Sequence, residues 1–169
     1  MGAKVICSDI DGPTPAALDL HRGITSIDYL AIDARAIPYR ETCDVIVFKS
    51  LLGACPDQAR VIEQIHAALK PGGELWFAEN VKASPLHRIL RRLNPWSDHW
   101  RYPSVSDMRH LLSGFELKYR TTGFLAALGR TERQRDWLAR LDQAVFNHIV
   151  PESWHYIMFG VARKKYEQF

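Results

Sequence analysis

The feature that most constrains the fold of this chain is a set of short segments in which every residue is apolar. The clearest is VIVF at residues 45–48, and VIC at residues 5–7 is similar. A strand that is apolar on both faces is typical of a sheet covered by helices on both sides. Because these segments alternate with helical patterns, the sequence predicts a layered α/β architecture.

Helix boundaries are marked by recognisable residues. Residues 57–69 have apolar side chains at helical spacing, and Pro71 ends this helix because proline disfavours α geometry in the residue before it. Ser84 and Pro85 suit the start of a second helix, and TERQ at residues 131–134 is a capping-box pattern that starts a third. We expect the third helix to bury Trp137, Leu138, Leu141, Ala144, Val145 and Ile149. We expect strands near residues 4–9, 28–33, 44–49, 74–79, 115–121 and 155–163.

Composition narrows the possible classes of function. The chain has 169 residues, of which 47% are hydrophobic, and this predicts a single globular domain over residues 1–169. The net charge of +3 is too mild to indicate nucleic-acid binding, and no apolar run reaches the roughly 20 residues of a membrane span. Three cysteines without CxxC spacing predict reduced thiols and a cytoplasmic location. The seven histidines lack metal-binding spacing, so we expect no metal site.

The segment KVICSDIDGPT, residues 4–14, has two interpretations. It resembles the first motif of haloacid dehalogenase-like phosphatases, with Asp9 as nucleophile and Asp11 as acid or base. That chemistry also needs a late pair of carboxylates for Mg²⁺, whereas the later strands end in Glu79-Asn80 and in TTG at residues 121–123. In the second interpretation, the acid at the end of the strand binds the diol of a ribose.

Three further segments, in order, favour the second interpretation. They are IDYLAIDARAIPY at residues 27–39, CDVIVFKSLLGAC at 43–55 and LKPGGELWFAEN at 69–80. Together with residues 4–14, this series resembles the class I S-adenosylmethionine-dependent methyltransferases. The resemblance implies a Rossmann-like three-layer α/β sandwich, with a mostly parallel sheet and an antiparallel C-terminal strand. It also implies methyl transfer from S-adenosylmethionine to a small-molecule or glycan acceptor.

This resemblance implies cofactor-binding roles for four residues near the ends of the first two strands. Asp9 matches the acid that accepts hydrogen bonds from both ribose hydroxyls, and Ile10 would lie against the adenine. Asp33 matches the acceptor of the adenine amino group, with Ala34 supplying a backbone donor beside it. The same acids are also common as ordinary strand-end and turn residues, so both interpretations stay open at this point.

The resemblance also implies residues for the reactive end of the cofactor. Lys49 and Ser50 follow the strand at 44–49, where the methyl donor and the acceptor meet in this family. We expect Ser50 to bind the cofactor and Lys49 to be catalytic, although a solvated lysine would fit the same position. If a general base is needed, His99 in the aromatic loop at 94–103 is our first candidate and His155 our second.

One part of the family pattern is missing from this sequence. Only three residues precede Lys4, so the family's first strand and its glycine-rich turn have no counterpart. In the family this strand lies between those predicted at 4–9 and 44–49, and its loss leaves two buried edges unpaired. Those strands could pair with each other, a second copy or another chain could supply the strand, or cofactor binding could be lost. The alternative to an enzyme is therefore a catalytically silent, methyltransferase-like binding or partner subunit.

Overall fold

The computed structural model of the chain describes residues 2–20, 22–82, 84, 100–129 and 131–166. Two predictions lie outside these residues: the helix predicted to start at Ser84 and Pro85, of which only Ser84 is described, and the side chain of His99. Among the residues that are described, we find no helix with the length and apolar character of a membrane span.

The N-terminal part of the chain forms a sheet of two parallel strands. Strand β1 (Val5–Asp9) pairs with β2 (Ile27–Ala31), and helix α1 (Pro15–Leu20) lies between them in sequence. The second strand ends two residues before Asp33, whereas the sequence predicted that it would include this residue. The carboxyl ends of the two strands nevertheless coincide, because Asp9 lies opposite Ala31 in the register.

A second sheet contains four strands. They are β3 (Cys43–Lys49), β4 (Leu69–Asn80), β5 (Phe115–Thr122) and β6 (Ile157–Lys164). The spatial order is β3-β4-β6-β5, with β3 parallel to β4 and β6 antiparallel to both of its neighbours. The predicted α/β sandwich is therefore confirmed, including its mostly parallel strands and its antiparallel C-terminal strand.

Helix α2 (Gln58–Ala68) connects β3 to β4 and covers one face of the four-stranded sheet. The Asp57 carboxylate accepts a hydrogen bond from the Arg60 N–H at 3.0 Å, which caps the start of this helix. A second helix, α3 (Val105–Leu111), also contacts α2. Burying each large apolar side chain contributes roughly 1.5–3 kcal/mol, so this interface holds the sheet together. The core contains Val61, Ile62, Ile65, Leu75, Phe77, Met108, Leu112 and Met158.

The start of β4 explains the glycine pair in LKPGG. Gly72 has a φ of +74°, a backbone conformation that other residues adopt only with strain. A Cβ on Gly73 would lie 3.1 Å from the carbonyl oxygen of Asp44 on β3 and 2.9 Å from that of Lys70. The glycines therefore allow β4 to approach β3 directly after α2 ends.

Neither β1 nor β3 has a second neighbouring strand within the described residues. The former pairs with β2 alone and the latter with β4 alone. All five residues of β1 are exposed, and on β3 the side chains of Val45 and Val47 are 49% and 70% exposed. The possibility that β1 and β3 pair with each other is therefore wrong for this structure. Within the described residues, both strands therefore leave one edge unpaired and apolar side chains exposed.

The predicted buried face of the third helix is wrong. Helix α4 (Glu132–Leu141) starts as expected, with the Thr131 hydroxyl accepting a hydrogen bond from the Gln134 N–H at 3.3 Å. Trp137 and Ile149, however, are 62% and 69% exposed. A π-helical turn at Asp142–Phe146 precedes a short helix α5 (Asn147–Ile149). Because a π turn has more residues than an α turn, it rotates the later side chains out of the predicted stripe.

Candidate functional site

The end of β1 presents a carboxylate that is available to a ligand. The carbonyl oxygen of Asp9 accepts hydrogen bonds from the N–H groups of Gly12 at 3.2 Å and Ile32 at 3.0 Å, which hold the ends of β1 and β2 together. The Asp9 carboxylate itself has no hydrogen-bond or ion-pair partner in the described part of the chain. Beside it, Ile10 is 59% exposed. A carboxylate in this state can accept two hydrogen bonds from a vicinal diol.

Asp33, two residues beyond β2, is already paired. Its carboxylate accepts hydrogen bonds from Arg35 Nε at 3.0 Å and Arg35 Nη2 at 2.7 Å. These hydrogen bonds lower the pKa of Asp33 below its ordinary value. The predicted role of Asp33 as an acceptor for an amino group therefore requires it to share the carboxylate with Arg35 or to displace the guanidinium. Ala34 packs against the core, which fixes the backbone between these two charged residues.

Ser50 lies just beyond β3 in an unusual backbone conformation. Its φ is +53°, a region that is strained for a residue with a Cβ and that is enriched at functional sites. The Ser50 N–H donates to the carbonyl oxygen of Ala78 at 2.8 Å, and Asn80 Nδ2 donates to Ser50 Oγ at 3.0 Å. These bonds join the carboxyl ends of β3 and β4. Lys49 lies beside Ser50 with an exposed side chain, and its predicted catalytic role stays a prediction.

A buried glutamate supports this edge, and the sequence analysis missed it. Glu79 is 1% exposed; its Oε2 accepts a hydrogen bond from the Leu52 N–H at 2.8 Å and its Oε1 one from the Asn80 N–H at 3.0 Å. Burial raises the pKa of Glu79 above its ordinary value, and the backbone hydrogen bonds oppose that shift. The acid therefore fixes the 3₁₀ turn Leu52–Ala54 onto the end of β4. An acidic residue that ends an otherwise apolar strand was the available signal.

His155 lies two residues before the start of β6, at the same edge of the sheet. It is 3% exposed, and its Nδ1 is 2.7 Å from Thr121 Oγ1. Its Nε2 is buried without a hydrogen-bond partner among the described residues. Burial lowers the pKa of His155 below its ordinary value, so the ring is held neutral. A neutral imidazole with an unused nitrogen can accept a proton or donate a hydrogen bond, according to its tautomer.

Strand register determines which predicted residues share this edge. Lys49 lies opposite Ala78, and Asn80 lies opposite Ile157, two residues after His155. Lys49 and His155 therefore lie at the same end of the four-stranded sheet, separated by the end of β4. The structure does not connect them by a hydrogen bond among the described residues.

An open groove of about 620 Å³ lies next to this edge. Its walls come from the start of α2, from the segment after β4 and from the segment before α3. Residues with charged or aromatic side chains in these walls include Asp57, Lys82, Arg101, Tyr102 and Asp107. The groove is large enough for a small organic molecule.

Comparison with known proteins agrees with this geometry. Residues 1–77 match the family model described as a methyltransferase domain. The match includes residues 4–14 and therefore favours the methyltransferase interpretation of that segment over the phosphatase one. A curated relative, the ubiquinone biosynthesis O-methyltransferase of Paraburkholderia xenovorans (strain LB400), is 34% identical over 91 residues. The aligned region covers 49% of this chain but only 39% of that relative's length.

Solved structures share the fold at low sequence identity. The [4+2]-cyclase SpnF superposes with a TM-score of 0.65 at 21% identity, over 97% of this chain and 67% of the cyclase. A Haemonchus contortus phosphoethanolamine N-methyltransferase 2, solved with phosphomonomethylethanolamine and S-adenosylhomocysteine, superposes with a TM-score of 0.64 at 13% identity. That match covers 96% of this chain and 43% of the enzyme. The likeness extends over nearly all of the chain, so both sheets belong to the shared fold.

Proposed function

We propose that the chain is a class I S-adenosylmethionine-dependent methyltransferase, which binds S-adenosylmethionine and transfers the methyl group to an oxygen atom of a small acceptor. The name of the curated O-methyltransferase supports oxygen as the accepting atom, and a glycan hydroxyl belongs to the same chemical class. We propose residues 1–169 as one methyltransferase-like domain. Its cytoplasmic location stays a prediction.

The available carboxylate of Asp9 is the observation that carries this proposal. An acceptor-only group without a partner, at the end of a parallel strand, suits the two hydroxyls of a ribose. The exposed side chain of Ile10 offers an apolar surface for the adenine beside it. These residues fit the adenosine half of the cofactor.

Other residues at this edge would orient the reaction rather than supply its chemistry. S-adenosylmethionine carries its methyl group on a sulfonium, so transfer to an acceptor oxygen breaks the carbon–sulfur bond and leaves the electron pair on sulfur. Ser50, held by Asn80, would position the reactive end, and the acceptor would lose its proton to a base. His99 remains our first candidate for that base, with the neutral, buried ring of His155 as the second.

The two unpaired strand edges support a second candidate function. A chain with exposed apolar residues on β1 and β3 would gain from a strand supplied by a second copy or by another protein. It would then act as a methyltransferase-like partner subunit without activity of its own. The cyclase with the same fold also illustrates that this architecture alone does not specify methyl transfer.

Titration calorimetry with S-adenosylmethionine and S-adenosylhomocysteine tests the proposal. We expect Asp9→Asn to weaken binding by about 10–100-fold, since it removes charge-assisted hydrogen bonds. Asp11→Asn is the matched control, because Asp11 is an exposed acid only two residues away. Equal binding by the wild type and Asp9→Asn would contradict the assigned site. No binding by a chain that is folded by circular dichroism would favour the partner-subunit function instead.

A further inference from the structure

The groove beside β4 is held against the carboxyl edge by backbone hydrogen bonds. The Lys82 N–H donates to the carbonyl oxygen of Pro103 at 2.8 Å, and the Arg101 N–H donates to that of Gly53 at 2.8 Å. Gly53 belongs to the turn that Glu79 fixes onto the end of β4. The groove walls therefore have a defined position beside the proposed site of methyl transfer.

One wall of the groove is aromatic. Tyr102 lines it, and Trp100 stacks on Tyr102 with ring centroids 6.1 Å apart and planes 13° from parallel. Both rings pack over Gly53, where a Cβ would lie 3.1 Å from the Trp100 ring and 3.4 Å from that of Tyr102. A flat aromatic surface of this kind favours a planar ligand.

The two acids of the groove are engaged in capping helices. Asp57 accepts the hydrogen bond from the Arg60 N–H that caps α2. Asp107 accepts one from the Ser104 N–H at 2.8 Å, and this hydrogen bond lowers the pKa of Asp107 below its ordinary value. Both carboxylates are therefore oriented by backbone donors.

The two cations of the groove are less well paired than the acids. Lys82 Nζ lies 4.0 Å from Asp107 Oδ2, too far for a hydrogen bond. The Arg101 guanidinium has no hydrogen bond or ion pair with the part of the chain that the structure describes. Two acids and two cations give the groove a formal charge near zero. Because both acids already accept hydrogen bonds from backbone donors, the two cations are the charged groups left to bind an added anion.

We propose that this groove selects a planar, hydroxylated acceptor that bears a carboxylate. Arg101 and Lys82 bind the carboxylate, because a guanidinium can form two parallel hydrogen bonds with it and an ammonium adds a compact charge. The aromatic wall contacts the ring of the acceptor. This inference names the acceptor class for the proposed methyltransferase and so rests on that function, but ligand binding to the groove is measurable without any methyl transfer.

The test compares two probes that differ only in the carboxylate, 3,4-dihydroxybenzoate and catechol. Each is titrated into the full chain, without cofactor, and binding is followed by two-dimensional NMR and calorimetry. We expect the acid to bind at least about tenfold more tightly than catechol, with shifts at Lys82, Arg101 and Tyr102. Lys82→Met and Arg101→Met should each reduce that preference about threefold to tenfold.

Matched variants control for the loss of charge alone. Lys70→Met and Arg163→Met remove the same side-chain types near the opposite end of the sheet, where they pair with Asp44 and Glu74, and should leave the preference unchanged. The proposal is overturned if catechol binds as well as the acid, if neither probe binds, or if both groove variants keep the preference. Binding of the acid by a chain that fails to bind S-adenosylmethionine would support the groove and contradict only the proposed enzymatic function.

Discussion

The two sheets of this protein differ in what covers them, although both contain segments of consecutive apolar residues. In the four-stranded sheet, Leu75 and Met158 are fully buried beneath helices. In the two-stranded sheet, every residue of β1 is exposed, and none of the described residues before Phe48 is buried. Apolar sequence therefore specifies a strand in both places, but burial depends on the neighbours that the strand finds.

This difference divides the proposed cofactor site between a covered and an open part. Asp9 and Asp33 lie at or just beyond the ends of strands in the open sheet, whereas Ser50 and Asn80 lie at or just beyond the ends of strands in the covered one. A sheet of two strands is marginally stable on its own. Cofactor binding would therefore have to order the open sheet, and part of the binding free energy would be used for that ordering.

Hydrogen exchange should reveal the largest difference between the two sheets. We expect amide groups in the β1–β2 ladder to exchange at least about 100-fold faster than those between β4 and β6, because local opening of the open sheet exposes little apolar surface. Mass spectrometry of peptic fragments can measure both ladders in one sample. Similar protection in the two sheets would mean that the open sheet is covered in solution, for example by a second copy.

Truncation of apolar side chains should also distinguish the two sheets, by the free energy of unfolding that each truncation removes. Leu75→Ala is expected to lower the free energy of unfolding by about 2–5 kcal/mol, since it leaves a cavity in the covered sheet. Ile6→Ala in β1 should cost less than about 1 kcal/mol, because this side chain is 38% exposed and already in contact with water. Urea denaturation measures both values. A large cost for Ile6→Ala would indicate a covering partner in solution.

Removal of Glu79, the buried acid at the carboxyl edge of the covered sheet, should lower the free energy of unfolding moderately. Glu79→Ala leaves the Leu52 and Asn80 N–H groups without their acceptor, so we expect a loss of about 2 kcal/mol. Glu79→Gln keeps one acceptor oxygen and should lose less, and Glu116→Ala at an exposed position should change little. If Glu79→Ala were as stable as Glu116→Ala, the turn after β3 would be held by other contacts.

The contribution of Glu79 to the free energy of unfolding should change with pH in a defined direction. Because its pKa is raised in the folded state, the free energy of unfolding falls as the pH rises from 4.5, its ordinary value, through the raised pKa. Glu79→Gln should lack this decrease. Denaturation of the wild type and this variant at several pH values checks the difference, and parallel profiles would contradict a raised pKa.

The sequence predicted the elements of this fold better than their environments. The apolar and helical patterns located β3 and α2 to within one residue at each end, because these patterns reflect local backbone geometry. Strand β4, however, starts at Leu69, five residues before its predicted start. The exposure of Trp137 was missed, because helical spacing describes a stripe and cannot show whether another element covers it. The exposure of β1 was missed for the same reason, because a run of apolar residues predicts a strand but cannot show whether another element covers it.

Long-range polar contacts could not be predicted from the sequence either. Asp142 accepts hydrogen bonds from the N–H groups of Phe124, Leu125 and Ala126, which are 16–18 residues away. Glu79 reaches Leu52 across 27 residues. Such contacts have no periodicity, so sequence spacing does not show which backbone groups these acids bind. Asp9 could be proposed as a ligand-binding residue from the sequence, because a strand-end acid belongs to a motif with a fixed order of segments.

The smallest expected effect concerns His155, and it tests whether the imidazole beside the covered sheet stays neutral in the folded protein. Its folded pKa is lowered by burial, whereas Asp142 and Glu152 oppose that shift. As the pH falls below 6.5, the ordinary value for histidine, the unfolded chain takes up a proton that the folded state resists, so the free energy of unfolding decreases. The slope of the free energy of unfolding against pH can reach at most about 1.4 kcal/mol per pH unit for one proton.

The test compares variants, because Glu79 changes the free energy of unfolding in the opposite direction as the pH falls. His155→Asn keeps a polar atom near Thr121 and should flatten the profile between about pH 6.5 and 5. Identical profiles for His155→Asn and the wild type would mean that the ring titrates as it does in water, and would remove it as a candidate base held neutral by burial.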